Sequence, residues 1–143
     1  MSQKIKPYCL DLLNRTRLKT REVIIGNLFL GADHAIRVQS MTTTDTMNTE
    51  ASVEQSIRMI EAGSELVRLT APSKNEAENL KNIKESLNEQ GHHVPLVADI
   101  HFTPNAAEIA SRIVEKVRIN PGNYADKKRF EEIQYTDESY QAE

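Results

Sequence analysis

The stretch Leu96–Asn123, LVADIHFTPNAAEIASRIVEKVRINPGN, constrains the fold more than any other part of the chain. It reads as strand, short helix, strand. Pro95–Ile100 is β-prone and apolar. Thr103 and Pro104 suit the N-cap and first position of a helix. Ala106, Ile109, Ala110 and Ile113 supply its buried stripe. Val117–Asn120 is the next strand, closed by Pro121-Gly122. Strands joined through a helix lie parallel, with a right-handed crossover. Side chains alternate along a strand, so Asp99 shares a face with His101, and Arg118 with Asn120. Ala98, Ile100, Val117 and Ile119 point the other way. A carboxylate, an imidazole, a guanidinium and an amide are thus expected where parallel strands end, the edge at which α/β proteins bind ligands.

The same grammar runs upstream. Val23–Ile25 and Leu28–Leu30 flank Gly26-Asn27, a two-residue hairpin turn. Such a hairpin ahead of the first parallel strand is placed to plug the bottom of a barrel. Ile36–Met41 is that strand, with Gln39 and Met41 on one face. Asn48 or Thr49 caps a helix to about Ala62, with Val53, Ile57 and Ile60 at helical spacing and Gly63 as its stop. Glu65–Thr70 is the second strand, with Leu66, Arg68 and Thr70 on one face. Ser73 and Glu76 fit a capping box. Ala77, Leu80, Ile83 and Leu87 stripe the following helix, which ends near Gly91. The order β-α-β-α-β-α-β with short connections predicts an α/β fold with parallel strands. Four such units are half of an eight-fold barrel. The expected organisation is an N-terminal arm over 1–20, a hairpin and partial barrel over 21–123, and a charged tail over 124–143. The chain is read as either a small open α/β domain or a piece of a longer protein.

Composition narrows the function classes. The chain has 143 residues, enough for one domain with a real core, and a net charge of −3. No broad basic surface for nucleic acid is expected. The single cysteine, Cys9, excludes an internal disulfide and a cysteine-only metal site. There is no signal-peptide pattern and no run of membrane-spanning length, so the expected location is cytoplasmic, with no membrane partner.

Each strand finishes on polar residues facing one way: Gln39, then Arg68 and Thr70, then Asp99 and His101, then Arg118 and Asn120. Charge buried in a sheet is costly unless it is paired or at a solvent-filled mouth. Four such endings point to one shared pocket, and two arginines with amides favour a phosphate-bearing anion. This reading requires both guanidinium groups to lie on one side of the molecule. For either arginine alone, pairing with Glu65 or Asp99 is the commoner role. Asp99 and His101 also suit an acid–base couple or two metal ligands, too few to argue a metal site. Thr42–Thr46 suits a mobile phosphate-side loop and a capping turn equally.

VQSMTTTDT at 38–46, LVRLTAP at 66–72, VADIHF at 97–102 and VRINPGN at 117–123 resemble the 4-hydroxy-3-methylbut-2-enyl diphosphate synthase family. The likeness runs in order from about Thr20 to Asn123. It implies an N-terminal (β/α)8 barrel and a C-terminal domain with a [4Fe-4S] cluster. The activity implied is reductive opening of 2-C-methyl-D-erythritol 2,4-cyclodiphosphate with loss of water, in isoprenoid biosynthesis. The electron donor implied is ferredoxin or flavodoxin, and the assembly a homodimer in which each barrel faces its partner's cluster domain. Arg68 and Arg118 match barrel arginines that hold the diphosphate, and the resemblance reverses the odds against them. His101 and Asn120 match residues that hydrogen-bond the substrate, Asp99 lines the pocket, and Gln39, Ser40 and Met41 match a segment at its mouth. The tail, with TDESY at 136–140, resembles the family variant that carries an inserted domain after the barrel.

The departures carry equal weight. The family's cluster is held by three cysteines and a glutamate near the C-terminus, and Cys9 matches none of them. The expectation is therefore a substrate-binding barrel fragment, inactive alone, of an iron-sulfur oxidoreductase. Two other readings compete: an autonomous phosphate- or diphosphate-binding α/β module without catalysis, and a pterin-binding synthase-like barrel, ranked last. A half barrel has open sheet edges, so the isolated chain is expected to self-associate.

Overall fold

The computed structural model describes residues 19–125, 136, 137 and 141. The expected helix over Leu10–Leu13, Cys9 and the tail stretch Asp126-Lys127-Lys128 lie outside the described residues. The element order is β1 (Val23–Ile25), β2 (Leu28–Leu30), β3 (Gln39–Met41), α1 (Thr49–Glu61), β4 (Leu66–Thr70), α2 (Lys74–Glu89), β5 (Leu96–Ile100), α3 (Pro104–Ala110), β6 (Lys116–Ile119) and α4 (Pro121–Ala125). β1 and β2 form an antiparallel hairpin, and β3-β4-β5-β6 form a four-stranded parallel sheet in chain order. Strands added in sequence, each through a helix on the same side, are the half-barrel arrangement the sequence predicts.

The two faces of this sheet are chemically distinct. Val67, Leu69, Ala98 and Ile100 face the helices and pack with Leu80, Ile83 and Leu87 of α2 and with Ala106 and Ala110 of α3. The opposite face carries Leu66 and Val97, on which Ile25 of the hairpin is seated with Leu28 and Leu30. The hairpin thus covers the lower part of the inner face, as expected of a barrel plug. The ends of the strands, above it, are left to polar side chains.

The caps explain where elements start. Asn48 accepts from the Ala51 N–H at 3.1 Å and opens α1. Ser73 accepts from the Asn75 N–H at 3.2 Å and donates its hydroxyl to the Glu76 carboxylate, which opens α2. Thr103 does not cap α3. Its hydroxyl donates to the Pro72 carbonyl at 2.9 Å instead, tying the β5–α3 loop to the β4–α2 loop. Pro104 at the first position removes one of the donors a cap would otherwise satisfy.

Strand boundaries shift from expectation: β4 and β5 each begin one residue late, at Leu66 and Leu96, and β6 ends at Ile119, one residue before Asn120. β3 begins at Gln39, not Ile36, because Glu65 claims the residue before it: its carboxylate accepts from the Val38 N–H at 2.9 Å, and its own N–H donates to the Val38 carbonyl at 2.8 Å. β6 begins at Lys116, one residue early, with Lys116 opposite Val97. The run Thr42–Thr46 is a built turn. Thr42 and Thr46 are buried. Thr46 donates to the Thr70 carbonyl at 2.6 Å, Thr44 shares a hydrogen bond with Ser52 at 3.0 Å, and Gln55 accepts from the N–H groups of Thr43 and Thr44. Its hydroxyls serve the fold, which settles the two readings of this loop in favour of the turn. No helix among the described residues is long and apolar enough to cross a membrane.

Candidate anion-binding site

The parallel register decides which side chains meet. Met41, Arg68, Val97 and Lys116 are level with one another on neighbouring strands, and Thr70, Asp99 and Arg118 form the next level toward the strand ends. Alternation places all of these on the inner face. Arg118 is directly across from Asp99, and Arg68 is diagonal to it.

Asp99 is the centre. It is only 1% exposed. Its Oδ1 accepts from Arg118 Nη1 at 3.0 Å. Its Oδ2 lies 3.0 Å from Arg68 Nη2 and 3.6 Å from His101 Nε2. Both guanidinium groups are therefore on one side of the molecule. Glu65 is not their partner: it takes Arg37, with Nη1 to Oε1 at 2.8 Å, and the Arg37 Nε donates to the Phe29 carbonyl at 2.9 Å. That bridge joins the hairpin to the foot of the sheet. It also holds the Glu65 carboxyl below the usual carboxylate range, first through the Val38 N–H and then through Arg37.

The arginines keep solvent-facing surface while their carboxylate does not. The Arg68 side chain is 30% exposed and that of Arg118 is 42%, against 2% for Asp99. A guanidinium carries five N–H donors. Arg68 uses Nη2 on Asp99 and Nε on the Met41 sulfur at 3.1 Å. Donors remain on both arginines. One carboxylate against two guanidinium groups leaves the cluster with excess positive charge, which suits an anion with several oxygens.

Other expected residues lie differently. His101 is one residue past β5, and its imidazole is half-buried beside Asp99 and tilted against Phe102 with ring centroids 6.0 Å apart. Asn120 follows β6, and its Oδ1 accepts from the Gly122 N–H at 3.2 Å, so its amide oxygen caps α4. Gln39 pairs in register with Leu66, one side-chain level below Arg68, and makes no side-chain hydrogen bond among the described residues. β3's residue beside Arg68 is Met41. Lys116 is missing from the sequence reading. It shares Arg118's face by the same alternation, and starting the strand at Val117 dropped it. Among the described residues it has no ion pair.

No group of three or more His, Cys, Asp or Glu among the described residues could hold a metal ion. A [4Fe-4S] cluster is held by cysteine thiolates, and the chain's single cysteine does not fit one.

Comparison with known proteins bears on this geometry. Residues 20–142 match the family model described as GcpE TIM-barrel domain. A curated protein of Bacteroides thetaiotaomicron named 4-hydroxy-3-methylbut-2-en-1-yl diphosphate synthase (flavodoxin) is 55% identical over 135 residues, 94% of this chain and 22% of its own length. One of the same name from Parabacteroides distasonis is 56% identical over 131 residues, 91% of this chain and 21% of its own. That of Chlorobaculum tepidum is 51% identical over 143 residues, 100% of this chain and 19% of its own. The chain thus spans about a fifth of the length of the curated relatives it matches.

Proposed function

The chain belongs to the GcpE TIM-barrel family, and on that premise we propose that it forms the diphosphate-holding part of a 4-hydroxy-3-methylbut-2-enyl diphosphate synthase barrel. The observation that carries this reading is the convergence of Arg68 and Arg118 on one buried carboxylate at the strand ends. In the proposed role the two guanidinium groups neutralise the diphosphate of 2-C-methyl-D-erythritol 2,4-cyclodiphosphate. His101 offers a further hydrogen bond from the same rim, and the Asn120 amide nitrogen another, its oxygen being spent on the α4 cap. Met41 lines the β3 side, with Gln39 one level below it.

The reaction of the whole enzyme, a two-electron reductive ring opening with loss of water in isoprenoid biosynthesis, needs a redox group that these residues do not provide. A [4Fe-4S] cluster would belong to another part of the longer protein. Flavodoxin as donor rests on the relatives' names. The homodimer and the cytoplasmic setting rest on the family resemblance alone.

The test is a calorimetric titration of the chain with inorganic diphosphate. A charge-assisted hydrogen bond contributes about 1.5–3 kcal/mol, so Arg118→Ala is expected to weaken binding roughly ten- to a hundredfold. Equal affinity in the parent and in a folded Arg118→Ala protein would refute the site.

A further inference from the structure

We propose that Asp99 is the positioning residue of this site: it does not touch the ligand but fixes both arginines before the ligand arrives. The inference rests on the reading that this rim holds a diphosphate. A carboxylate that is 1% exposed has no surface left for a ligand, and each of its oxygens already receives one guanidinium at 3.0 Å. Its strand neighbours Ala98 and Ile100, 0% and 1% exposed, lock the backbone against the helices. A fully buried stretch of the sheet therefore holds two long, partly exposed side chains of the site.

The physical consequence is a shift of cost. An arginine on a strand end samples many rotamers, and ordering two of them on binding would weaken affinity. With Asp99 in place that ordering happens when the protein folds. The remaining N–H donors are then presented together, at a separation set by the carboxylate. Lys116, on the same face one level below Arg118, adds attraction without taking part in the clamp.

This role has a sign that simple electrostatics lacks. Deleting a negative charge beside an anion site strengthens anion binding by Coulomb's law. Deleting a positioning residue weakens it. Asp99→Asn keeps the shape of the side chain and removes its charge. We expect it to bind inorganic diphosphate about tenfold or more weakly than the parent chain, with an unchanged circular dichroism spectrum. Asp99→Glu, with the charge restored on a longer stem, is expected to recover part of the loss. Affinity equal to or tighter than the parent in folded Asp99→Asn overturns the proposal.

A second measurement needs no variant and no ligand. In the free chain the guanidinium N–H signals of Arg68 and Arg118 should be distinct and protected from solvent exchange in nitrogen-15 NMR spectra, unlike those of the exposed Arg112. Averaged, rapidly exchanging signals from both arginines overturn the clamp even if diphosphate binds. Protected signals in a chain that does not bind diphosphate uphold the clamp and discard the functional reading instead.

Discussion

Among single residues, Glu76 and Glu65 make the sharpest case for how local bonding sets stability. Glu76 is held below the ordinary value of 4.5 chiefly by the Ser73 hydroxyl, then by backbone N–H groups at the start of α2. Glu65 is displaced the same way by Val38 and Arg37. Folded values below the unfolded one mean that each charge adds stability that is fully present above about pH 4.5 and lost as pH falls through the folded value. Ser73→Ala should therefore cost about 1 kcal/mol near neutral pH, and the penalty should shrink on acidification. Urea unfolding at neutral pH and at about pH 4 checks this, and a pH-independent difference would contradict it. The capping box is legible in the residues Ser73 to Glu76 because its geometry spans a single turn. The role of Asp99 is not, because both arginines it holds come from other strands.

Among elements, the hairpin is the part whose seat is least forgiving. Gly31 has φ +82°, and a Cβ there would lie 2.5 Å from the Arg21 carbonyl oxygen. Backbone cannot yield as a side-chain tip can, so Gly31→Ala should cost about 1–3 kcal/mol by strain and loosen the hairpin from Leu66 and Val97. Hydrogen exchange is the discriminating measurement: protection should fall at Ile25 and Leu28, the bonded pair beside the turn, while Leu69 in the sheet stays protected. Leu69→Ala, at a site that is 0% exposed, should by contrast lower the stability of the whole unit by about 2–5 kcal/mol. Thermal unfolding separates the two, as a fraying hairpin leaves the main transition cooperative.

For the molecule as a whole, the open edges dominate. β3 and β6 flank the parallel sheet with no further strand beside either among the described residues. Near these edges Ile36 is 78% exposed, Val38 55% and Ile119 38%. Exposed edges pair with other chains, so the isolated chain should sediment as dimers or larger species at micromolar concentrations. Val38→Lys on the β3 side should shift it toward monomer. A monodisperse monomer at high concentration would show that these edges are protected some other way.

What the sequence alone determined is everything that depends on near neighbours in the chain. Turn chemistry at Gly26-Asn27, the caps at Asn48 and Ser73, the helical stripe of Ala77, Leu80, Ile83 and Leu87, and the alternation along each strand are all set within a few residues. The order of strands followed from short right-handed connections. The tertiary structure decided what depends on register between strands. It seated Gln39 below the rim, raised Met41 beside Arg68, added Lys116 to the inner face and turned the Asn120 oxygen into a helix cap. It also gave one carboxylate to two arginines. A strand's own pattern says which face a side chain takes, but its level on that face is set by the neighbour it bonds, and that neighbour lies a helix away in the chain.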